Sequence, residues 1–258
     1  MKRTLWVATI VFSTAATLAA QSNTGHPDLS GTWLFSIDLP PIALKRSTSG
    51  TTTIKTIDAS GRRPASEKIA GAMPYADAPA YKPELRAKVK ALLDHESKTD
   101  PVFYCDRPGV PRIGPPRRII QLPNEFVFLY EDISGDPYRL IPVGGTHKKD
   151  GNPSYYGDSV ARWDGNTLVV DVVNFVDSTW FGEDGYYHSD AMHVTERFWR
   201  SGSNLVYQVT VEDPKVLTAP WTMAPRVVKP STEALEESPK CTETDSKLLV
   251  NNDHHGQR

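Results

Sequence analysis

Residues 188–198 read HSDAMHVTERF, with two histidines, an aspartate and a glutamate between positions 188 and 196 and strand-forming residues after them. Two chemistries suit these residue types: histidine and carboxylate side chains ligate zinc, and they also move protons as general acids and bases. Spacing bears on the metal reading. His188 and His193 are separated by an odd interval, which on a strand sends side chains to opposite faces. No second His/Cys/Asp cluster supplies further ligands, so neither a metal nor another cofactor is expected.

The acid–base reading rests on strand register. In LVYQVTVED, residues Leu205, Tyr207, Val209 and Val211 alternate with Gln208, Thr210 and Glu212. A loop at Ser201–Asn204 sets Arg200 opposite Leu205 and Glu196 opposite Val209, and opposed residues share a face. Met192, Val194, Glu196 and Phe198 then belong to the apolar side, and Glu196 points inward. A carboxyl group in an apolar interior is a candidate general acid or base. His188 and Asp190, at the mouth of the strand, are candidates to orient it or to carry a second proton. The plain alternatives are a one-residue slip that exposes Glu196, and a buried Glu196 that only pairs with Arg162, Arg197 or Arg200.

Two neighbouring stretches offer binding groups. NFVDSTWFGEDGYYHSD (174–190) carries Trp180, Phe181, Tyr186 and Tyr187 among glycines and acidic residues. Aromatics on such a loop suit a flat or sugar-like ligand, or simply pin the loop to the body. CDRPGVPR could present Arg107 or Arg112 to an anionic group, or form a rigid crossing. Trp180, Tyr187 and Arg112 are thus the ligand-binding candidates. Cys105 and Cys241 suit one disulfide in an exported chain, two free thiols being the alternative.

Positioning these residues requires a β framework. GTW, RRIIQL, FVFLYE, PYRLIPV, SVARW, TLVVDVVNF, MHVTERFWR, LVYQVTVED and PWTMAPRVVK read as strands, with turn signals such as Asp164-Gly165-Asn166 between several of them. The series predicts a mainly β fold, an antiparallel up-and-down barrel of about eight to ten strands. KPELRAKVKALLDHE predicts one peripheral helix near 83–97, while 38–80 reads as a long irregular excursion and the polar tail from about 231 as loosely attached.

Residues 1–20, with Lys2 and Arg3 ahead of an apolar run ending in Ala19-Ala20, read as a secretory signal peptide, or as an uncleaved anchor; 21–258 read as a single barrel domain. The expected location is secreted or periplasmic, without membrane attachment after cleavage. Losing Lys2 and Arg3 takes the formal charge from −2 to −4, which gives no electrostatic case for nucleic acid. Catalytic signatures such as Gly-x-Ser-x-Gly, His-Glu-x-x-His, a Walker loop or a dinucleotide fingerprint do not occur in the chain.

DLSGTW resembles the Gly-x-Trp opening strand of calycins, the lipocalin and avidin-like barrels. The pieces DLSGTW, CDRPGVPR, IIQLPNEFVFLYE, SVARWDGNTLVVDVVNFVDSTW, HSDAMHVTERF and VEDPKVLTAPW together resemble a large family of secreted bacterial β-barrel proteins, over most of residues 27–245. His188, Asp190 and Glu196 match that family's pattern, and the position of His193 accommodates arginine there. The resemblance implies an exported calycin-like barrel and brings no activity with it.

Three functions follow as expectations. The first is an exported barrel holding a small, largely apolar or aromatic molecule in its interior. The second is a cofactor-independent lyase, isomerase or hydrolase using His188, Asp190 and Glu196. The third is a structural or interaction protein with a filled barrel. An interior packed with side chains would remove the basis of the first two.

Overall fold

The computed structural model describes residues 25–34, 42–48, 51–57, 69–132, 135–238 and 240–242. The expected signal peptide, parts of the 38–80 excursion and the last part of the tail lie outside these residues. Twelve strands occur among the described residues: β1 (Gly31–Thr32), β2 (Ile42–Thr48), β3 (Thr51–Ile57), β4 (Arg118–Gln121), β5 (Glu125–Leu129), β6 (Tyr138–Pro142), β7 (Asp158–Asp164), β8 (Thr167–Val173), β9 (His193–Ser201), β10 (Asn204–Glu212), β11 (Trp221–Thr222) and β12 (Arg226–Val228). The helices α1 (Arg86–Asp94) and α2 (Glu96–Thr99) lie within and just beyond the predicted helical segment.

Tight turns make neighbours of sequential strands. Gly165 and Gly202 take φ of 58° and 60°, a left-handed conformation open to glycine, and close the β7–β8 and β9–β10 hairpins. Ten of the strands form two antiparallel sheets, one ordered β1-β4-β5-β6 and the other β11-β10-β9-β8-β7, with β12 also on β10, and β2 pairs with β3 alone. The mainly β, antiparallel expectation therefore holds. Among the described residues, continuous ladders do not run round into the expected closed barrel; the two sheets meet through isolated bridges, Val143 with Ala161 at one edge and Trp33 with Pro230 at the other. PWTMAPRVVK splits around Pro225, which has no N–H to give, and both halves pair with β10.

The β9–β10 register sets Arg200 against Leu205 and Glu196 against Val209, as the alternation predicts. Ile119, Phe126, Phe128 and Ile141 of the smaller sheet and Leu168, Val170, Val194, Phe198, Leu205 and Val209 of the larger are all buried. Aromatic rings occupy the space between the sheets: Phe128 meets Phe198 at 5.1 Å between centroids, and Phe198 meets Tyr207 at 4.9 Å. Each such large side chain contributes about 1.5–3 kcal/mol on burial.

Long segments cover what the sheets leave open. Residues 70–76 lie along β9, β10 and β11, where the Trp199 and Trp221 indoles donate to the carbonyls of Ala70 and Ala76. Gln208 exchanges hydrogen bonds with the Met73 backbone at 2.8 and 3.0 Å. The excursion also contains the β2–β3 hairpin, which the polar, period-free sequence of 38–80 does not predict. The tail is tied down as far as residue 241: Ser231 N–H donates to Thr32, Glu236 N–H to Glu131 and Ser238 N–H to Asp136, and Cys241 is bonded to Cys105.

Candidate functional site

Glu196 is fully buried, at 0% exposure, and its lateral neighbours in the sheet are Val170 and Val209. Its counter-charge comes from the opposite sheet. Arg139 on β6 alternates with Tyr138 and Leu140, and this phase turns the arginine inward while the two apolar residues face out. The Arg139 Nη2 and Glu196 Oε2 are 2.6 Å apart. Arg139 also donates to the Tyr130 hydroxyl at 3.1 Å and the Ser159 hydroxyl at 2.8 Å, and the Tyr207 hydroxyl donates to Glu196 Oε1 at 3.1 Å. Burial works against the guanidinium charge, but Glu196 and Tyr130 outweigh it and hold the Arg139 pKa above its ordinary value. Desolvation, then the Glu196 charge, pushes the Tyr207 phenol up. This is a closed network in which neither charge reaches solvent. Arg139, rather than Arg162, Arg197 or Arg200, is the partner, a pairing across sheets that the hairpin register alone cannot supply.

His188, Asp190 and Glu196 have separate partners. His188 is 3% exposed. Its Nδ1–H donates to the Ser189 carbonyl, and its Nε2 accepts from the Thr179 hydroxyl at 2.7 Å. Desolvation holds its pKa below the usual histidine value, which favours the neutral ring. Asp190 faces solvent and pairs with Lys215 at 2.5 Å.

Arg112, Trp180 and Tyr187 do come together, packed among their own neighbours. Arg112 makes a two-pronged bond to buried Asp100, at 2.7 and 2.5 Å, with its guanidinium 5.9 Å from the Trp180 ring centroid. Trp180 is buried and bridges to Tyr187, whose ring carries the Lys88 ammonium at 3.7 Å. Helix α1 lies against this loop: a Cβ on Gly185 would sit 2.8 Å from the Val89 carbonyl and 2.9 Å from Leu92 Cβ.

Two polar features emerge from the fold beyond the sequence candidates. On the outer face of the larger sheet, His147 lies between Asp158 at 3.1 Å and Asp171 at 2.8 Å. His193 continues the row, bonding Asp171 on one side and Glu212 on the other. Burial would lower the His147 pKa, but hydrogen bonds to Asp171 and Asp158 reverse this and raise it. Asp171 is shifted oppositely: its desolvation is overcome by His147 and His193, and its pKa is lowered. His147 sits in the irregular 143–157 segment, so neither period nor motif marks it. Among the described residues, no group of three or more His, Cys, Asp or Glu could hold a metal ion.

The second feature is a cavity of about 290 Å³ at the rim, lined by Arg107, Gly135, Asp136, Pro137, Tyr138 and Tyr156. The Cys105–Cys241 disulfide fixes the Arg107 strap beside the tail that crosses Asp136. Arg107 makes no ion pair with a described residue. Tyr138 is 64% exposed, whereas the buried Tyr156 hydroxyl has no hydrogen-bond partner among the described residues. Desolvation, then the Asp132 charge, raises the Tyr156 pKa. No helix of the described residues is long and apolar enough to cross a membrane. Comparison with protein-family models, curated proteins and solved structures found no match for the chain.

Proposed function

We propose that this chain is an exported small-molecule-binding protein that takes its ligand at the rim rather than between the sheets. One observation carries the reading: side chains and a closed ion pair fill the interior, while a lined cavity opens beside the disulfide-clamped strap. The cavity approaches the lower end of the range of small-molecule sites, about 300–1,000 Å³. The disulfide fits an oxidising compartment and supports export. Bridges at both sheet edges support reading the sheets as one flattened, calycin-like barrel, with Trp33 of the GTW strand at the seam. The separate partners of His188, Asp190 and Glu196 give no support to a shared acid–base centre. Native mass spectrometry of protein exported by its own host tests the proposal. A small molecule retained by the wild type and lost from Tyr138→Ala is expected; the same molecule retained by both would refute binding at the rim.

A further inference from the structure

The rim cavity combines one cation, one carboxylate and two aromatic residues: Arg107, Asp136, Tyr138 and Tyr156. Its charges limit what can enter. A small anion attracted to Arg107 would meet the Asp136 carboxylate in the same lining. A cation would meet the Arg107 guanidinium, which no described carboxylate pairs. A neutral ligand bearing both donors and acceptors can use the two signs at once, giving hydrogen to Asp136 and receiving it from Arg107.

Exposure narrows the class further. Tyr138 stands at the outward-facing start of β6, and Leu140, on the same face, is 53% exposed. An open aromatic face beside fixed polar groups suits a ring with apolar C–H faces and a hydroxylated edge. We infer that the rim cavity is a site for a single neutral sugar ring, stacked on Tyr138 and hydrogen-bonded by Arg107 and Asp136. Asp136 is already oriented, since its carboxylate accepts from the Ser238 N–H at 3.1 Å, and the disulfide anchors the strap bearing Arg107. Stacking and polar contacts therefore act in a site positioned before ligand arrives.

The inference rests on the rim-binding reading, and the two can fail separately. Saturation-transfer NMR on the full exported chain would use methyl β-glucopyranoside, methyl β-galactopyranoside and N-acetylglucosamine, with benzoate and benzylamine as charged aromatic probes. Saturable binding of at least one sugar is expected, weakened about tenfold by Tyr138→Ala and by Asp136→Asn. Exposed Tyr138 can be removed without opening the core, and a melting curve verifies that each variant is folded. Preference for benzoate or benzylamine, abolished by Tyr138→Ala, would overturn the sugar assignment and leave rim binding intact. Binding of no probe, with native mass spectrometry showing no molecule dependent on Tyr138, would overturn both. Sugar binding unaffected by either substitution would overturn this cavity as the site.

Discussion

Replacing Glu196 with leucine should be among the most damaging single changes in the larger sheet. The substitution leaves the Arg139 guanidinium in the core with only the Tyr130 and Ser159 hydroxyls as partners. Arginine has no accessible neutral form, so it cannot escape the cost of burial by losing its proton. Breaking a buried pair in this way costs about 3–5 kcal/mol. In a chain of this size that lowers Tm by about 6–20 °C. Urea unfolding followed by tryptophan fluorescence would measure the loss. Glu196→Gln keeps an acceptor for the Tyr207 hydroxyl while removing the charge, and so separates the two contributions. The double variant Glu196→Leu with Arg139→Met should recover at least half of the loss, because two apolar side chains can replace a buried pair at little cost. A loss below about 1 kcal/mol for the single variant, or simple additivity in the double, would refute the ion pair as a coupled weld between the sheets.

The histidine–carboxylate row should make stability depend on pH from both sides. His147 has a raised folded pKa, so its contribution is complete below about pH 6.5 and is lost as pH rises through the folded value. Asp171 has a lowered one, so its contribution is present above about pH 4 and fades as pH falls through that folded value. His147→Asn should therefore be less stable than wild type at pH 5.5 and indistinguishable from it well above the folded His147 pKa. The difference in urea midpoint should be worth less than about 1 kcal/mol for this partly exposed group. Cys105 and Cys241 are separated by 136 positions, and replacing both with serine should cost about 2–5 kcal/mol in chemical denaturation. Gly185→Ala adds a Cβ at φ 76°, 2.8 Å from the Val89 carbonyl. Hydrogen exchange should rise in α1 while β8–β10 remain protected, with a loss of about 1–3 kcal/mol.

Alternation is enough to place the strands, because the face turned to the opposite sheet imposes a period of two on LVYQVTVED and MHVTERFWR, even where residues 70–76 cover the other face of β9 and β10. It also placed Glu196, whose register with Val209 depends only on a short hairpin. Its counter-ion was beyond such reasoning. In PYRLIPV the arginine takes the inward phase and the more exposed tyrosine and leucine the outward one, against the usual pattern. His147 escaped for a related reason: it is an isolated histidine in an irregular segment, and only tertiary folding brings it between Asp158 and Asp171. For the aromatic loop the residue types leave ligand capture and pinning to the body both open, and the packing of α1 on Gly185 is a tertiary contact that they do not encode.

The seam at Trp33 has a consequence for the order of events during synthesis. Strand β1 pairs with β4, and its next residue bridges to Pro230, beyond β12. Its opening segment therefore emerges long before either partner exists. The hairpins from β7 to β10 can form locally, while the first strand waits for the last to arrive. Such non-local closure is slow to fold and keeps the chain extended until late. The Cys105–Cys241 bond joins the same late stage, since it ties the strap before β4 to a tail made after β12.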